Sequence, residues 1–331
     1  MSRILGCGHY LPSRVVTNAD IMQRMETSDA FIVERTGVRR RRYALPDEAT
    51  TDMALRACRD AVADAGLAME QIGLVIMNTI TPDHADPGCA FFLQAKLGLP
   101  GIPVLDIRQQ CAGLLYGLSL ADHFVRMGTY RHVLIVCAEK LSARIDGSYE
   151  GRNIAILLGD GAGAMVVGPS EDSGPRILST HLHADGSYAK VLYTAAPGTA
   201  QGHTEHLTHE DIDGGRIHFR MDGKTMFQNG VHKMSAAVAE CLQANGLTLD
   251  VVDVLVPHQA NLRMLEAIVQ RVGIPLAKVV VNVENYGNIA SASLPIAFHE
   301  AQQAGLIRSG SLVLLVAFGS GFVWGSALVR M

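Results

Sequence analysis

Apolar residues along this chain follow two alternating rhythms. Between Thr51 and Ala65 they recur at helical spacing and stop before Gly66, which predicts an amphipathic helix closed by glycine. Residues 72–77 and 132–137 are short unbroken apolar runs, the pattern of buried strands. Residues 117–127 continue a helix opened near Cys111, residues 231–244 read as helix, and residues 251–256 read as strand. The start, Arg3-Ile4-Leu5-Gly6, is strand-like and leads to a turn at Pro12. Residues 154–158, then Gly159-Asp160-Gly161-Ala162-Gly163, then residues 164–167 predict strand, tight turn and strand. No helix is expected after those glycines, so they are not a phosphate-cradling loop. From about Pro197 to Gly215 the chain turns polar and rich in Gly and His, which predicts a long surface excursion. Strands alternating with helices imply an α/β protein with largely parallel sheets.

The same pattern is written twice. Ala65-Gly66-Leu67 aligns with Asn245-Gly246-Leu247, and Leu74-Val75-Ile76-Met77-Asn78 with Val254-Leu255-Val256-Pro257-His258. Val104-Leu105-Asp106-Ile107 runs into Cys111 as Val281-Asn282-Val283 runs into Asn288. Gly159-Asp160-Gly161 precedes Ala164-Met165-Val166-Val167 as Gly319-Ser320-Gly321 precedes Ser326-Ala327-Leu328-Val329. Any one match is what apolar strand–helix patterns give by chance, but four in the same order argue for duplication. A duplicated half places its loops around a shared axis. Cys111, His258 and Asn288 are then expected in one central site, with Cys111 and Asn288 at the same point of two facing helices.

Composition narrows the class. With 331 residues, 48% hydrophobic and 18% charged, the chain has material for a sizeable core and no long disordered tail. A net charge of −4 argues against nucleic acid as the main ligand. The one basic run, Arg39-Arg40-Arg41-Arg42, is a solvated face or a phosphate contact. No secretory leader and no membrane-length apolar run is expected, and six cysteines without a CxxC pair suggest neither zinc site nor disulfide framework. A reducing cytoplasm fits. His203, His206 and His209 lie in the polar stretch and read as a surface loop rather than a metal site.

Three residues stand out chemically. Cys111 follows a strand and opens the apolar helix Ala112-Gly113-Leu114-Leu115-Tyr116-Gly117-Leu118, where the helix dipole favours thiolate. His258 follows a strand, and Asn288 lies among small residues that permit close helix packing. Alone, each has a structural explanation: a core cysteine, a satisfied histidine, a turn or helix cap. Together they supply a nucleophile for a thioester carbonyl and two donors for an oxygen that gains negative charge. The turn Gly319-Ser320-Gly321 can bring a backbone N–H to the same centre.

The stretches Gln110-Cys111-Ala112-Gly113, His258-Gln259-Ala260-Asn261-Leu262-Arg263, Gly287-Asn288 and Phe318-Gly319-Ser320-Gly321-Phe322-Val323-Trp324-Gly325 resemble the β-ketoacyl-acyl-carrier-protein synthase III (FabH) family, over essentially the whole chain. The resemblance implies a thiolase fold, with duplicated halves in a five-layer αβαβα arrangement. The halves are expected at residues 1–170, carrying the nucleophile, and 171–331, carrying His and Asn, and the assembly as a homodimer. It implies Cys111 as acyl acceptor, His258 and Asn288 as the pair that stabilises the enolate, and the N–H groups of Cys111 and Ser320 as an oxyanion hole. It implies CoA contacts at Phe31, Arg35 and Arg152, carrier-protein docking at Arg263, and Asp86 at or near the far wall of the acyl pocket across the dimer interface. Asp86 stands where the family commonly has Phe, and Ser320 where it commonly has Gly. These two, with Phe31-Ile32-Val33-Glu34-Arg35-Thr36-Gly37-Val38-Arg39, Pro82-Asp83-His84, Leu105-Asp106-Ile107-Arg108 and Thr194-Ala195-Ala196-Pro197-Gly198, are similar to the PqsD-like branch of quinolone biosynthesis.

The expected reaction is acyl transfer from acyl-CoA to Cys111, then decarboxylative Claisen condensation with malonyl-CoA or a malonyl acyl carrier protein. No metal or other cofactor is expected, the CoA thioesters being substrates. The alternatives are a secondary-metabolism enzyme with an aromatic or medium-chain primer, and an acyltransferase that does not condense. A Cys–His–Asn hydrolase of the papain type would lack the duplication, and a non-catalytic binding relic would have lost one of the three residues.

Overall fold

The computed structural model describes residues 1–171, 174–200 and 202–331. The first half runs β1 (Ser2–Tyr10), β2 (Arg14–Thr17), α1 (Asn18–Met22), α2 (Asp29–Thr36), β3 (Arg40–Tyr43), α3 (Thr50–Asp64), β4 (Leu74–Asn78), α4 (Cys89–Leu97), β5 (Val104–Ile107), α5 (Gly113–Arg126), β6 (Val133–Lys140), α6 (Arg152–Ala155) and β7 (Asp160–Pro169). The second runs β8 (Arg176–Ala184), β9 (Leu192–Tyr193), α7 (His209–Asp213), β10 (Arg220–Met221), α8 (Gly223–Ala244), β11 (Val254–Pro257), α9 (Leu262–Val272), α10 (Val283–Tyr286), α11 (Ser293–Gln303), β12 (Leu312–Gly319) and β13 (Val323–Arg330).

Two sheets carry the fold, in the orders β1-β7-β6-β4-β5 and β8-β13-β12-β11. A parallel bridge between Leu255 and Val279 extends the second sheet where β5 extends the first. One core packs α3 and α4 on the outer face of the first sheet, and another packs α8 and α9 on the outer face of the second. Between the sheets lies the largest core, built on α5 and α11. The result is the five-layer αβαβα arrangement.

The repeat extends to backbone detail. β1 bulges at Leu5, its neighbours Ile4 and Gly6 pairing with Val167 and Val166. β8 bulges at Leu178 against Val329 and Leu328, the residues aligned with that pair. α3 and α8 end alike: Gly66 and Gly246 take positive φ, and the next leucine donates back to the helix, Leu67 N to Val62 O and Leu247 N to Leu242 O.

Register also corrects the alignment around Asn288. Val75 pairs with Val104, but its counterpart Leu255 pairs with Val279, two residues earlier than expected. The turn before α5 has Gln109 at φ −103°, ψ 30° and Gln110 at φ 48°; the turn before α11 has Ile289 at φ −105°, ψ 33° and Ala290 at φ 41°. The counterpart of Cys111 is therefore Ser291. Asn288 precedes its helix rather than facing Cys111 from an equivalent point.

Two local expectations also change. Residues 152–155 are helical rather than strand, a short apolar run being ambiguous between the two. No turn follows at the glycines: β7 runs straight through Gly161 and Gly163, and a Cβ on Gly163 would meet Pro295 Cγ of α11 at 2.6 Å. The basic run forms β3. Its Arg41 is fully buried and donates to Asn18 Oδ1 (2.7 Å) and Ile156 O (2.6 Å), so this arginine is a strut rather than a solvated side chain.

Candidate active site

Cys111 sits in the turn entering α5, with its thiol partly open to a cavity of about 1040 Å³. Asn288, Ser320, Asp86, Arg108 and Arg144 line the same cavity. The β12–β13 turn lies directly against Cys111: a Cβ on Gly319 would stand 2.9 Å from Cys111 N. Only glycine permits this approach, which brings Ser320 to the wall beside Cys111.

Asn288 is clamped on both sides. Its N donates to Leu157 O (2.7 Å), and its carbonyl accepts from Gly159 N (3.0 Å). Its Oδ1 accepts from Ala290 N (2.8 Å), which fixes the amide and leaves the NH₂ as the donor available to the cavity. His258 follows β11, is 2% exposed, and donates its backbone N–H to Val316 O (2.8 Å). Its Nδ1 is buried without a hydrogen-bond partner among the described residues.

Burial favours the uncharged form of both Cys111 and His258. Burial pushes the Cys111 thiol up to about 12, and the Glu139 carboxylate adds to the push. Burial pushes His258 down to about 3, so its imidazole is neutral. Burial and Glu139 thus work against the thiolate that the helix end favours. Glu139, fully buried at the end of β6, is pushed up to about 7 by burial, against hydrogen bonds from Ser291, Ile80, Thr81 and Thr79. Sequence reasoning passed over it, although a carboxylate near the end of an otherwise apolar strand was a visible signal. It also passed over Arg144, which stacks on Phe219 (4.5 Å to the ring centroid) and donates to Thr194 Oγ1 (2.8 Å).

A second cavity of about 1040 Å³ is lined by Arg35, Thr36, Gly151, Lys224, Phe227 and Asn261, and it shares Ile154 and Phe219 with the first. Phe31 stands close by, with the guanidinium carbons of Arg35 and Arg152 at 5.2 and 5.0 Å from its ring centroid. Arg152 also stacks on Tyr149 at 3.8 Å. Phe31, Arg35 and Arg152 thus form one cluster. Arg263 is partly committed: it donates to Glu34 O (2.9 Å) and Val33 O (3.2 Å) at the end of α2, and pairs with Glu266 at 2.9 Å. Asp86 is exposed on the wall of its own chain's cavity. His203 pairs with Asp211 at 3.2 Å, and no cluster able to hold a metal ion occurs among the described residues. No helix among them is long and apolar enough to cross a membrane.

Comparison with known proteins agrees with this geometry. The family model for 3-oxoacyl-[acyl-carrier-protein] synthase III matches residues 105–186, and that for its C-terminal region matches residues 242–331. The β-ketoacyl-[acyl-carrier-protein] synthase III of Thiobacillus denitrificans is 43% identical over 99% of both chains. That of Rhodospirillum rubrum is 44% identical over 100% of this chain and 99% of its own. The crystal structure of 3-oxoacyl-[acyl-carrier-protein] synthase III from Aquifex aeolicus superposes with a TM-score of 0.90 at 37% identity, covering all of both chains. With a cysteine and a fixed amide on one cavity inside a duplicated five-layer scaffold, the chain belongs to the β-ketoacyl-acyl-carrier-protein synthase III family and is a thiolase-fold condensing enzyme, an acyltransferase.

Proposed function

We propose that the enzyme works in two half-reactions on Cys111. In the first, the sulfur attacks the carbonyl of an acyl-CoA, CoA leaves carrying the proton, and a Cys111 thioester remains. The N–H groups of Cys111 and Ser320 hold the oxygen of the tetrahedral intermediate. In the second, a malonyl thioester loses CO₂, and the electron pair of the broken bond forms an enolate. Neutral His258 and the Asn288 NH₂ donate to its oxygen. The enolate carbon attacks the thioester, the C–S bond breaks, and the thiol is regenerated by taking a proton. No redox group or metal is required by these steps. The fixed amide of Asn288 carries the reading: acyl transfer without condensation has no use for it.

The second cavity and the Phe31, Arg35 and Arg152 cluster suit CoA, an aromatic face and two cations meeting adenine and phosphates. Arg263 is partly exposed beside that entrance and suits an acidic carrier protein. The free edge of β5, with Leu105 exposed and Phe91 of α4 exposed nearby, suits pairing with a second copy. We place the enzyme in the cytoplasm. Asp86, Arg108 and Arg144 give the cavity a charged wall, so the primer is larger or more polar than acetyl, an aromatic or medium-chain acyl group. Intact mass after incubation with a panel of acyl-CoAs tests this. Acylation by acetyl-CoA above all others, unchanged in Asp86→Phe, would return the enzyme to an acetyl-primed role.

A further inference from the structure

The pseudo-symmetry places Glu139 opposite Gly319. β4 pairs Leu74 with Val133, and β11 pairs Val254 with Val313. Counting from those pairs, position 139 of the first half matches position 319 of the second. Each reaches across the seam to the turn of the other half. Gly319 meets Cys111 with no side chain, which leaves room at the nucleophile. Glu139 meets Ser291, the counterpart of Cys111, and its Oε1 accepts from Ser291 Oγ at 2.6 Å. The site that would mirror the nucleophile is occupied by a carboxylate.

The two turns are also anchored differently. In the first half Asn78 holds the turn: its Oδ1 accepts from Gln109 N (2.8 Å) and its Nδ2 donates to Gln110 O (3.4 Å). Its counterpart in the second half is His258, which makes no such side-chain bond to residues 289–290. Yet that turn carries Ala290 at φ 41°, a conformation unfavourable for alanine. Ala290 N is the group that fixes Asn288 Oδ1. Ser293 Oγ accepts from Ile289 N (2.9 Å) in place of the Asn78 bond to Gln109 N, and Ser291, next to Ala290, is bonded to Glu139. The other carboxylate oxygen accepts from Ile80 N (3.0 Å), Thr81 Oγ1 (3.1 Å) and Thr79 Oγ1 (3.3 Å), which roots Glu139 in the first half.

We propose that Glu139 is a positioning residue for condensation: through Ser291 it helps hold the turn that aims Asn288, sharing with Ser293 the anchoring that Asn78 gives the first half. The proposal rests on Asn288 being the enolate donor. It explains why a carboxylate stays buried beside a thiol whose ionisation it opposes.

The test measures the two half-reactions separately in Ser291→Ala, Glu139→Gln and Asn288→Ala, and in the double variant Ser291→Ala/Asn288→Ala. Acylation of Cys111, read by intact mass, is expected within about threefold of wild type in Ser291→Ala, and condensation with the malonyl thioester is expected to fall about 10–100-fold, below the loss for an oxyanion-type donor itself. The double variant is expected to condense no worse than Asn288→Ala alone, because one loss contains the other. In Glu139→Gln, iodoacetamide is expected to alkylate Cys111 faster at a given pH, while condensation still falls. Equal loss of both half-reactions in Ser291→Ala, wild-type condensation in that variant, or multiplying losses in the double variant would overturn the proposal. Wild-type condensation by Asn288→Ala would instead overturn the donor role on which it rests.

Discussion

The turns that open α5 and α11 share a backbone path and differ in side chains. Gln110-Cys111 and Ala290-Ser291 take the same left-handed step before the same kind of buried helix. One presents a thiol to a cavity and the other a fully buried hydroxyl to a carboxylate. The connectors differ just as much. Between β6 and β7 the chain spends residues 141–159 on α6 and part of both cavity walls, whereas between β12 and β13 it turns within residues 320–322. The backbone repeat fixes where reactive groups stand. Side chains and connector lengths then decide which half carries the cysteine and which the amide.

The sharpest way to break this comparison is to move the thiol. Cys111→Ala is expected to lose acylation altogether in an intact-mass assay, and adding Ser291→Cys is expected to restore none of it, since residue 291 is fully buried. Acyl label at position 291 of that double variant would show the halves to be interchangeable. Next come the donors. His258→Ala and Asn288→Ala should still take the acyl group but condense about 100–1000-fold more slowly. Near-normal condensation by either removes it from the enolate site.

A third measurement follows from the uncharged pair. With the thiol near 12 and the imidazole near 3, alkylation of Cys111 should rise about tenfold per pH unit between pH 6 and 9, as the small thiolate fraction grows. A thiolate–imidazolium pair would instead give a flat rate over that range, and a plateau there contradicts the neutral site. The smallest effect is expected at the CoA cluster. Phe31→Ala and Arg152→Ala should raise the KM for acyl-CoA several-fold and leave turnover from the acyl-enzyme unchanged, as loss of uniform binding does. A slower condensation step at unchanged KM would place these residues elsewhere.

Much of this was legible in the sequence, because strands and helices leave periodic patterns and a duplication leaves them twice. The Gly66 and Gly246 helix stops and the strands of residues 74–78 and 254–257 are where the apolar runs put them. Cys111 and Asn288, singled out by their motifs, line one cavity. Pairing was not legible. The two-residue offset that makes Ser291 the mate of Cys111 lives in the Leu255–Val279 bridge, and alternation with period two hides such a slip. The burial of Arg41 and the reach of Glu139 across the seam depend on contacts between residues far apart in the chain. The push of burial on the thiol was not legible, because the dipole at a helix start can be read locally, whereas desolvation requires the whole surrounding fold.

That resting state bears on oxidative damage. Peroxide and disulfide exchange act on thiolates, and the other five cysteines are all buried, as free thiols. A Cys111 thiol pushed up by desolvation and a neighbouring carboxylate is a poor target for both while no substrate is bound. The enzyme should therefore keep its acyl-accepting capacity through peroxide exposure that inactivates enzymes with a standing thiolate.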